Sequence, residues 1–402
     1  MYPDLSYLFH DLLGTDQDNW LSIFKTFGLF LLFAFLSAAW LLKKELKRRE
    51  TLGQLSPTDE SVRPGNGVTI WDYIFNGFFG FLLGYKIPYA LANLDAWKRD
   101  APSVLLSGDG WLWSGLLVAA CFIGYYVYVA RKPEPGRQSE NKVSLPDRLA
   151  PATIMVSPSD RVGPITLMAA LGGILGAKFF AILEYTDKFM ADPLGVLLSG
   201  DGLAIYGGLL GGAFAVFLYL RKHGIKPLPV MDAVAPALIV AYGVGRIGCQ
   251  LSGDGDWGKP AGPQPDWWFL PDWVWAFDFP HNVLGRGVPI KGCELDYCTQ
   301  LAAAVHPTSV YETVMAFVIG AVLWVLRKRL TPLPGVLFCV YLFLNGVERF
   351  FIEFARINDK YNVLGFELSQ AQIIAIVFML TGLVGGWWFI RRARTQVQSK
   401  EF

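Results

Sequence analysis

Long apolar runs alternate along this chain with short polar segments. They cover 27–42, 70–92, 111–130, 163–184, 203–220, 229–250, 308–326, 334–354 and 371–390. Some 20 apolar residues in helical conformation cross the roughly 30 Å of a bilayer's hydrocarbon. The pattern therefore predicts an all-α polytopic membrane protein with about nine transmembrane helices. A large soluble helical core would not carry so many such runs with basic clusters between them.

The polar seams differ from one another, and the difference predicts orientation. Lys43, Lys44, Lys47, Arg48 and Arg49 follow the first run; Arg131, Lys132, Arg137, Lys142, Arg148 and Arg161 follow the third. Arg221, Lys222 and Lys226 follow the fifth, Arg327 to Arg329 the seventh, and Arg391, Arg392 and Arg394 the ninth. Every odd-numbered run exits into a positive loop, whereas 251–307 is rich in Asp. An N-terminus outside and a C-terminus in the cytoplasm satisfy all loops. The expected organisation is an outer segment, first helix and cytoplasmic loop over 1–69, a two-helix unit at 70–132, and a cytoplasmic loop at 133–162. A membrane core over 163–392 follows, with a substantial outer loop at 251–307, and then a cytoplasmic tail at 393–402.

Composition agrees: 53% of residues are hydrophobic, 15% aromatic and only 17% charged, and the net charge of +1 matters less than its distribution. Residues 1–19 hold four aspartates and no Lys or Arg, unlike the basic start of a secretory signal peptide. Cys121 and Cys339 fall in apolar runs and read as packing residues. Cys293 and Cys298 share the outer loop, where an oxidising compartment permits a disulfide. No zinc-binding spacing occurs, so no metal or cofactor is expected, and nothing points to nucleic acid.

Leu105-Leu-Ser-Gly-Asp-Gly110 recurs as Leu197-Leu-Ser-Gly-Asp-Gly202, an offset of 92 residues. The same offset pairs Gly80 with Gly172, Gly84 with Gly176, Lys86 with Lys178, and Gly115 with Gly207. This predicts a duplicated two-helix unit spanning about 70–132 and 163–224. The second copy, with its paired glycines, is expected to be the functional one.

Four constellations carry candidate chemistry. Arg246 lies at the end of the sixth run, framed by Gly243, Gly245 and Gly248 and followed by Asp254 and Asp256. A guanidinium at a helix centre in hydrocarbon costs about 2.5–3.5 kcal/mol on insertion scales, and its forked donors match phosphate. Snorkelling is the plainer reading of a lone interfacial arginine, but the glycines and aspartates around Arg246 put phosphate binding ahead. Glu348-Arg-Phe-Phe-Ile-Glu-Phe-Ala-Arg356 puts Arg349, Glu353 and Arg356 at i, i+4 and i+7, on one helical face. Either an ion-pair ladder closes the span, or a second arginine clamp meets Arg246 at the same depth. His306-Pro-Thr-Ser-Val-Tyr-Glu312 opens the seventh run; its histidine is a candidate acid–base group, and Ser309 with Glu312 has capping-box spacing. Tyr206-Gly207-Gly208, continuing to Gly211-Gly212, permits close helix packing or leaves room for a lipid chain. Lys178 sits in the fourth run within reach of an interfacial phosphate. Trp267, Trp268, Trp273 and Trp275 predict an outer segment lying on the membrane surface.

Together these motifs resemble the bacterial prolipoprotein diacylglyceryl transferases. The family signature reads here as Gly245-Arg-Ile-Gly248, Gly253-Asp254 and Trp257-Gly258. The His-Pro-Ser/Thr-x-x-Tyr-Glu and Arg-Phe-x-x-Glu-Phe-x-Arg elements are His306–Glu312 and Arg349–Arg356. Gly172–Lys178 resembles the family's glycine helix, and Ser369-Gln-Ala-Gln-Ile-Ile-Ala375 its Ser-x-x-Gln-x-x-Ser helix. The resemblance covers the first span and roughly 160–392. Three positions depart from it: Tyr206 stands where the family has histidine, Cys249 where it has asparagine, and one residue is added in Asp254-Gly-Asp-Trp-Gly258.

The resemblance implies transfer of the diacylglyceryl group of phosphatidylglycerol to the lipobox cysteine of preprolipoproteins, through their signal peptides. A thioether forms and glycerol phosphate leaves. It implies a bacterial inner membrane location with the site facing the outer leaflet. Arg246, Arg349, Glu353, Tyr206 and His306 are the expected catalytic residues. Arg246, Gly207, Gly208, Lys178, Asp254, Tyr311, Glu312 and Arg356 are expected to bind substrate. An anionic-lipid transporter or scramblase, or an inactive homologue that binds lipoprotein precursors, is the alternative.

Overall fold

The computed structural model describes residues 1–62, 70–99, 104, 108–131, 152–193, 196, 204–363 and 365–398. A short helix α1 (Leu5–Leu13) precedes α2 (Thr26–Thr51), α3 (Ile70–Ala92), α4 (Leu112–Arg131), α5 (Val162–Glu184) and α6 (Ile205–Lys222). Then come α7 (Pro227–Ser252), α8 (Thr308–Arg329), α9 (Val336–Ile352) and α10 (Gln370–Gln398). Each expected apolar run carries one of these helices. Among the described residues five are long and apolar enough to cross a membrane: α2, α5 with the turn before it, α7, α8 and α10. A shorter apolar stretch covers Leu112–Tyr128. The chain is an all-α polytopic membrane protein. Large apolar side chains such as Leu32, Phe35 and Leu36 on α2 and Leu380, Leu383 and Val384 on α10 face outward, as a lipid solvent allows.

Helix ends follow local chemistry. Arg221 and Lys222 close α6, and Arg327 to Arg329 close α8, where cations meet the negative end of the helix dipole. Pro227 opens α7, where no backbone N–H is needed. Ser369 caps α10 reciprocally: its Oγ accepts from the Gln372 N–H at 3.2 Å, and Gln372 Oε1 accepts from the Ser369 N–H at 3.0 Å. The Ser-x-x-Gln element thus has a local structural task.

The described residues form two compact units, Met1–Ser56 with Pro158–Gly163 and Gly224–Phe402, and Pro57–Ser157 with Pro164–His223. In the second unit, strand β1 (Thr58–Val62) pairs antiparallel with β2 (Ala152–Val156), and two helix pairs, α3–α4 and α5–α6, occupy the spans of the expected repeat. Gly80 and Gly84 of α3 bring it against Phe122, Ala119 and Val118 of α4. The positions offset by 92, Gly172 and Gly176 of α5, meet Gly207, Gly211 and Ala215 of α6. The two hairpins therefore use equivalent contacts. Ser107, the second Ser199–Gly202 element, and the basic residues Lys132, Arg137, Lys142 and Arg148 lie outside the described residues.

In the first unit α7 is central, packing on α2, α8 and α9. Half of its apolar window is buried, against 17–33% for the other four candidate spans. Ala235 and Ile239 of α7, Ala316, Ile319 and Leu323 of α8, and Leu337 of α9 make the innermost cluster. At the end carrying the basic clusters, two arginines expected in a positive loop are instead buried in ion pairs. Arg49 of α2 lies 3.5 Å from Asp232 of α7, whose carboxylate also accepts from the N–H groups of Gly335 and Phe338 at 2.8 and 2.9 Å. Glu45 of α2 takes Arg48 at 2.9 Å and also Arg327 of α8. Four helices are tied at this level, and burying the charges is tolerable because each carboxylate is paired.

Candidate active site

At the opposite end of the first unit, Gly253 terminates α7. Its left-handed backbone (φ 65°) lets its N–H bond the Cys249 carbonyl at 3.0 Å. The glycines around Arg246 have separate uses. A side chain at Gly248 would collide with Phe30 of α2 and one at Gly243 would press on Ala316 of α8, whereas Gly245 faces open space.

Arg246 does not snorkel. Its Nε lies 2.9 Å from Glu312 Oε2 of α8, its Nη1 donates to Asp256, and its guanidinium lies over the Tyr242 ring, 5.1 Å from the centroid. Glu312 is fully buried and also receives Arg349 Nη1 at 3.3 Å and Arg356 Nη1 at 3.1 Å. Arg356 Nη2 donates to the other oxygen of Asp256. Arg349 also pairs with Glu353 at 3.2 Å, and Asn358 donates to Glu353. Three arginines from separate segments thus share three carboxylates, and Asp256 is held by one guanidinium on each oxygen.

Charge explains the titration of the exposed end of this cluster. Burial raises the Asp256 carboxyl, but the Arg246 and Arg356 guanidiniums outweigh it and hold the group below its usual range. Burial lowers Arg356, and Glu312 and Asp256 together lift it above its ordinary value.

Several expectations need correction. Arg349, Glu353 and Arg356 do not share one helix. The helix α9 ends at Ile352, and Arg356 follows a turn whose backbone bridges Gly258. Only Arg349 and Glu353 keep the i, i+4 relation. Ser309 and Glu312 form no capping box: α8 has no side-chain cap, the Ser309 hydroxyl donates to Gln250 Oε1 at 2.6 Å, and Glu312 is consumed by arginines. Of the two aspartates of this turn, Asp256 is the one that pairs with the arginines. The chain turns between them through Gly255 at φ 98°. Asp254 lies instead beside Cys249.

His306 makes no hydrogen bond or ion pair to these arginines among the described residues. Its ring packs edge-on against Trp275 at 5.0 Å and its Nδ1 lies 3.5 Å from the Tyr311 hydroxyl. Tyr311 donates to the Val274 carbonyl at 2.7 Å, fastening the 251–307 loop to α8. The loop tryptophans divide: Trp267 and Trp273 are exposed, while Trp268 and Trp275 pack on each other at 5.0 Å. Cys293 and Cys298 form a disulfide. Gly258 donates to the His306 carbonyl at 2.8 Å and leaves no space for a side chain against Ala355 and Thr308, so it joins all three site segments.

Tyr206, Gly207, Gly208 and Lys178 belong to the second unit. Tyr206 lies in the first turn of α6. The missing side chain of Gly207 is used in packing against Gly176 and Phe180, and Gly208 faces Gly173 and Ala177. Among the described residues one group has metal-ligand character: the Cys249, Asp254 and Asp256 donor atoms lie within 4.8 Å of one another. Asp256 is already committed to two guanidiniums, which disfavours a cation there.

Paired arginines gripping an oxyanion at a helix end are the arrangement that phosphate recognition uses. Residues 113–388 match the family described as prolipoprotein diacylglyceryl transferase. The chain belongs to this family. The match takes in every residue of the arginine cluster and leaves α2 and α3 outside it. Similar proteins include the phosphatidylglycerol–prolipoprotein diacylglyceryl transferase of Clostridium tetani, 29% identical over 56% of this chain and 79% of the relative. Those of Corynebacterium diphtheriae (29%, covering 58% and 78%) and Neisseria gonorrhoeae (31%, covering 54% and 75%) are also alike.

Proposed function

We propose that this protein transfers the diacylglyceryl group of phosphatidylglycerol to the cysteine thiol of a prolipoprotein, with the arginine cluster as the phosphate site. The observation that carries the reading is the hold of Arg246 and Arg356 on the two oxygens of Asp256. That carboxylate has the charge and spacing of two phosphate oxygens. An incoming phosphodiester takes its place and meets the same guanidiniums. As the acceptor sulfur attacks the glycerol carbon, the carbon–oxygen bond to phosphorus breaks and negative charge gathers on the departing glycerol phosphate. Preorganised guanidiniums stabilise that charge as it develops.

Arg246 carries the phosphate, Arg349 and Arg356 complete the clamp, and Glu353 and Glu312 orient them. Tyr206 stays assigned to the headgroup, since a phenol with an ordinary pKa near 10 is a weak base at neutral pH. Signal-peptide helices supply the acceptor at the same membrane surface. The basic clusters after alternate runs support nine spans, the N-terminus outside and this site at the outer leaflet of a bacterial inner membrane.

Purified protein in phosphatidylglycerol vesicles with a lipobox peptide tests the reading by release of glycerol phosphate. Release that depends on the peptide and falls at least 100-fold in Arg246→Ala is expected, from an effect of roughly 3 kcal/mol for a lost oxyanion partner. Peptide binding without release points to an inactive homologue, and lipid movement across the bilayer without release to a scramblase; either overturns the proposal.

A further inference from the structure

Glu348 is a buried acid that the cluster does not use. Its residue exposure is 4%, and neither carboxylate oxygen has a hydrogen-bond or ion-pair partner among the described residues. It lies one position before Arg349 and shares a buried face of α9 with Ile352, four residues on. The charged groups around it are those of the site itself: Glu312 from α8, Arg246 from α7, Arg349 from its own helix and Arg356 from the turn beyond. Tyr242 of α7 and Tyr341 of α9 also face it. The helix α10 contributes no titratable group at this level, where Ala375 and Met379 pack on Gly346.

Charge balance favours its neutral form. Arg246, Arg349 and Arg356 are matched by Asp256, Glu312 and Glu353. An ionised Glu348 would add an unpaired negative charge, without a donor, to a cluster that must capture an anion. Burying such a charge is more costly than keeping its proton. A neutral carboxyl with no acceptor has an O–H group still to be satisfied.

We propose that Glu348 is held protonated in the resting protein and is the proton store for the transfer reaction. The inference rests on the function proposed above. Transfer moves one proton from the acceptor thiol to the glycerol phosphate. The sulfur–carbon bond forms as the carbon–oxygen bond to phosphate breaks, and its electron pair leaves on the phosphate oxygen. Glu348 gives that oxygen its proton and takes the thiol's in exchange, so atoms and charge balance with no outside reactant.

Glu348→Gln keeps the shape and neutrality but has no proton to give. In the vesicle assay its KM for phosphatidylglycerol stays at the wild-type value and its kcat falls roughly 100-fold. The alkaline limb of the wild-type pH profile, where Glu348 ionises, disappears, and Glu348→Asp recovers part of the rate. Wild-type kcat in Glu348→Gln overturns the proposal, as does a slow variant that keeps the alkaline limb. Both leave the transferase reading standing so long as wild type is active and Arg246→Ala is not. An independent readout needs no turnover: the infrared spectrum of the wild-type protein at neutral pH contains a protonated-carboxyl band that Glu348→Gln lacks. Identical spectra overturn the proposal.

Discussion

Asp256 shows how one residue can serve a site before substrate arrives. It holds a guanidinium on each oxygen, and in the function proposed above it gives way to a phosphate of like charge. Its folded-state pKa is depressed, so its contribution to stability is present above the ordinary aspartate value, near 3.9. That contribution is lost as pH falls through the depressed value. Asp256→Asn is expected to lower the melting temperature at neutral pH while narrowing the gap to wild type below about pH 4, read by thermal denaturation across pH. A gap of equal size throughout contradicts the pairing. Residue identity made part of this legible: Arg246, Arg349, Glu312 and Arg356 are recognisable from their motifs. Their partners were less so, because which of two nearby aspartates faces the arginines depends on the backbone path through Gly253 and Gly255.

At the scale of elements, the apolar runs foretold every long helix, because hydrocarbon thickness imposes a length that sequence displays directly. Local side-chain pairings were less visible. The capping-box spacing of Ser309 and Glu312 is indistinguishable in sequence from an ion-pairing glutamate, and tertiary partners decided it. The burial of Arg49 was equally hidden, since a basic cluster at a helix end ordinarily stays in water. Arg49→Ala leaves Asp232 without its cation in the heart of the α2–α7–α9 junction. Such a loss costs about 3–5 kcal/mol and is expected to lower the melting temperature in detergent, while Asp232→Asn with Arg49→Ala recovers part of it. An unchanged melting temperature in the single variant refutes the structural role.

At the scale of the molecule, the hairpins α3–α4 and α5–α6 repeat one design, with glycines at equivalent crossings. The duplication was readable because the offset is ungapped, and the unequal continuation after each copy argues for unequal tasks. Lys86 of the first hairpin donates to the backbone carbonyls of Val104 and Asp109 at 3.2 and 2.8 Å, a local structural task. Lys86→Ala is therefore expected to leave turnover nearly intact, and Lys178→Ala to reduce it; equal losses in the vesicle assay contradict that division. The central claim is that the arginine cluster at the end of α7 directs diacylglyceryl transfer to a thiol. The mass of a lipobox peptide after incubation with the purified protein and phosphatidylglycerol tests it most directly. A gain of one diacylglyceryl group, stable to thioester cleavage and absent with Arg246→Ala, is the predicted result; an unmodified peptide, or equal modification by the variant, contradicts it.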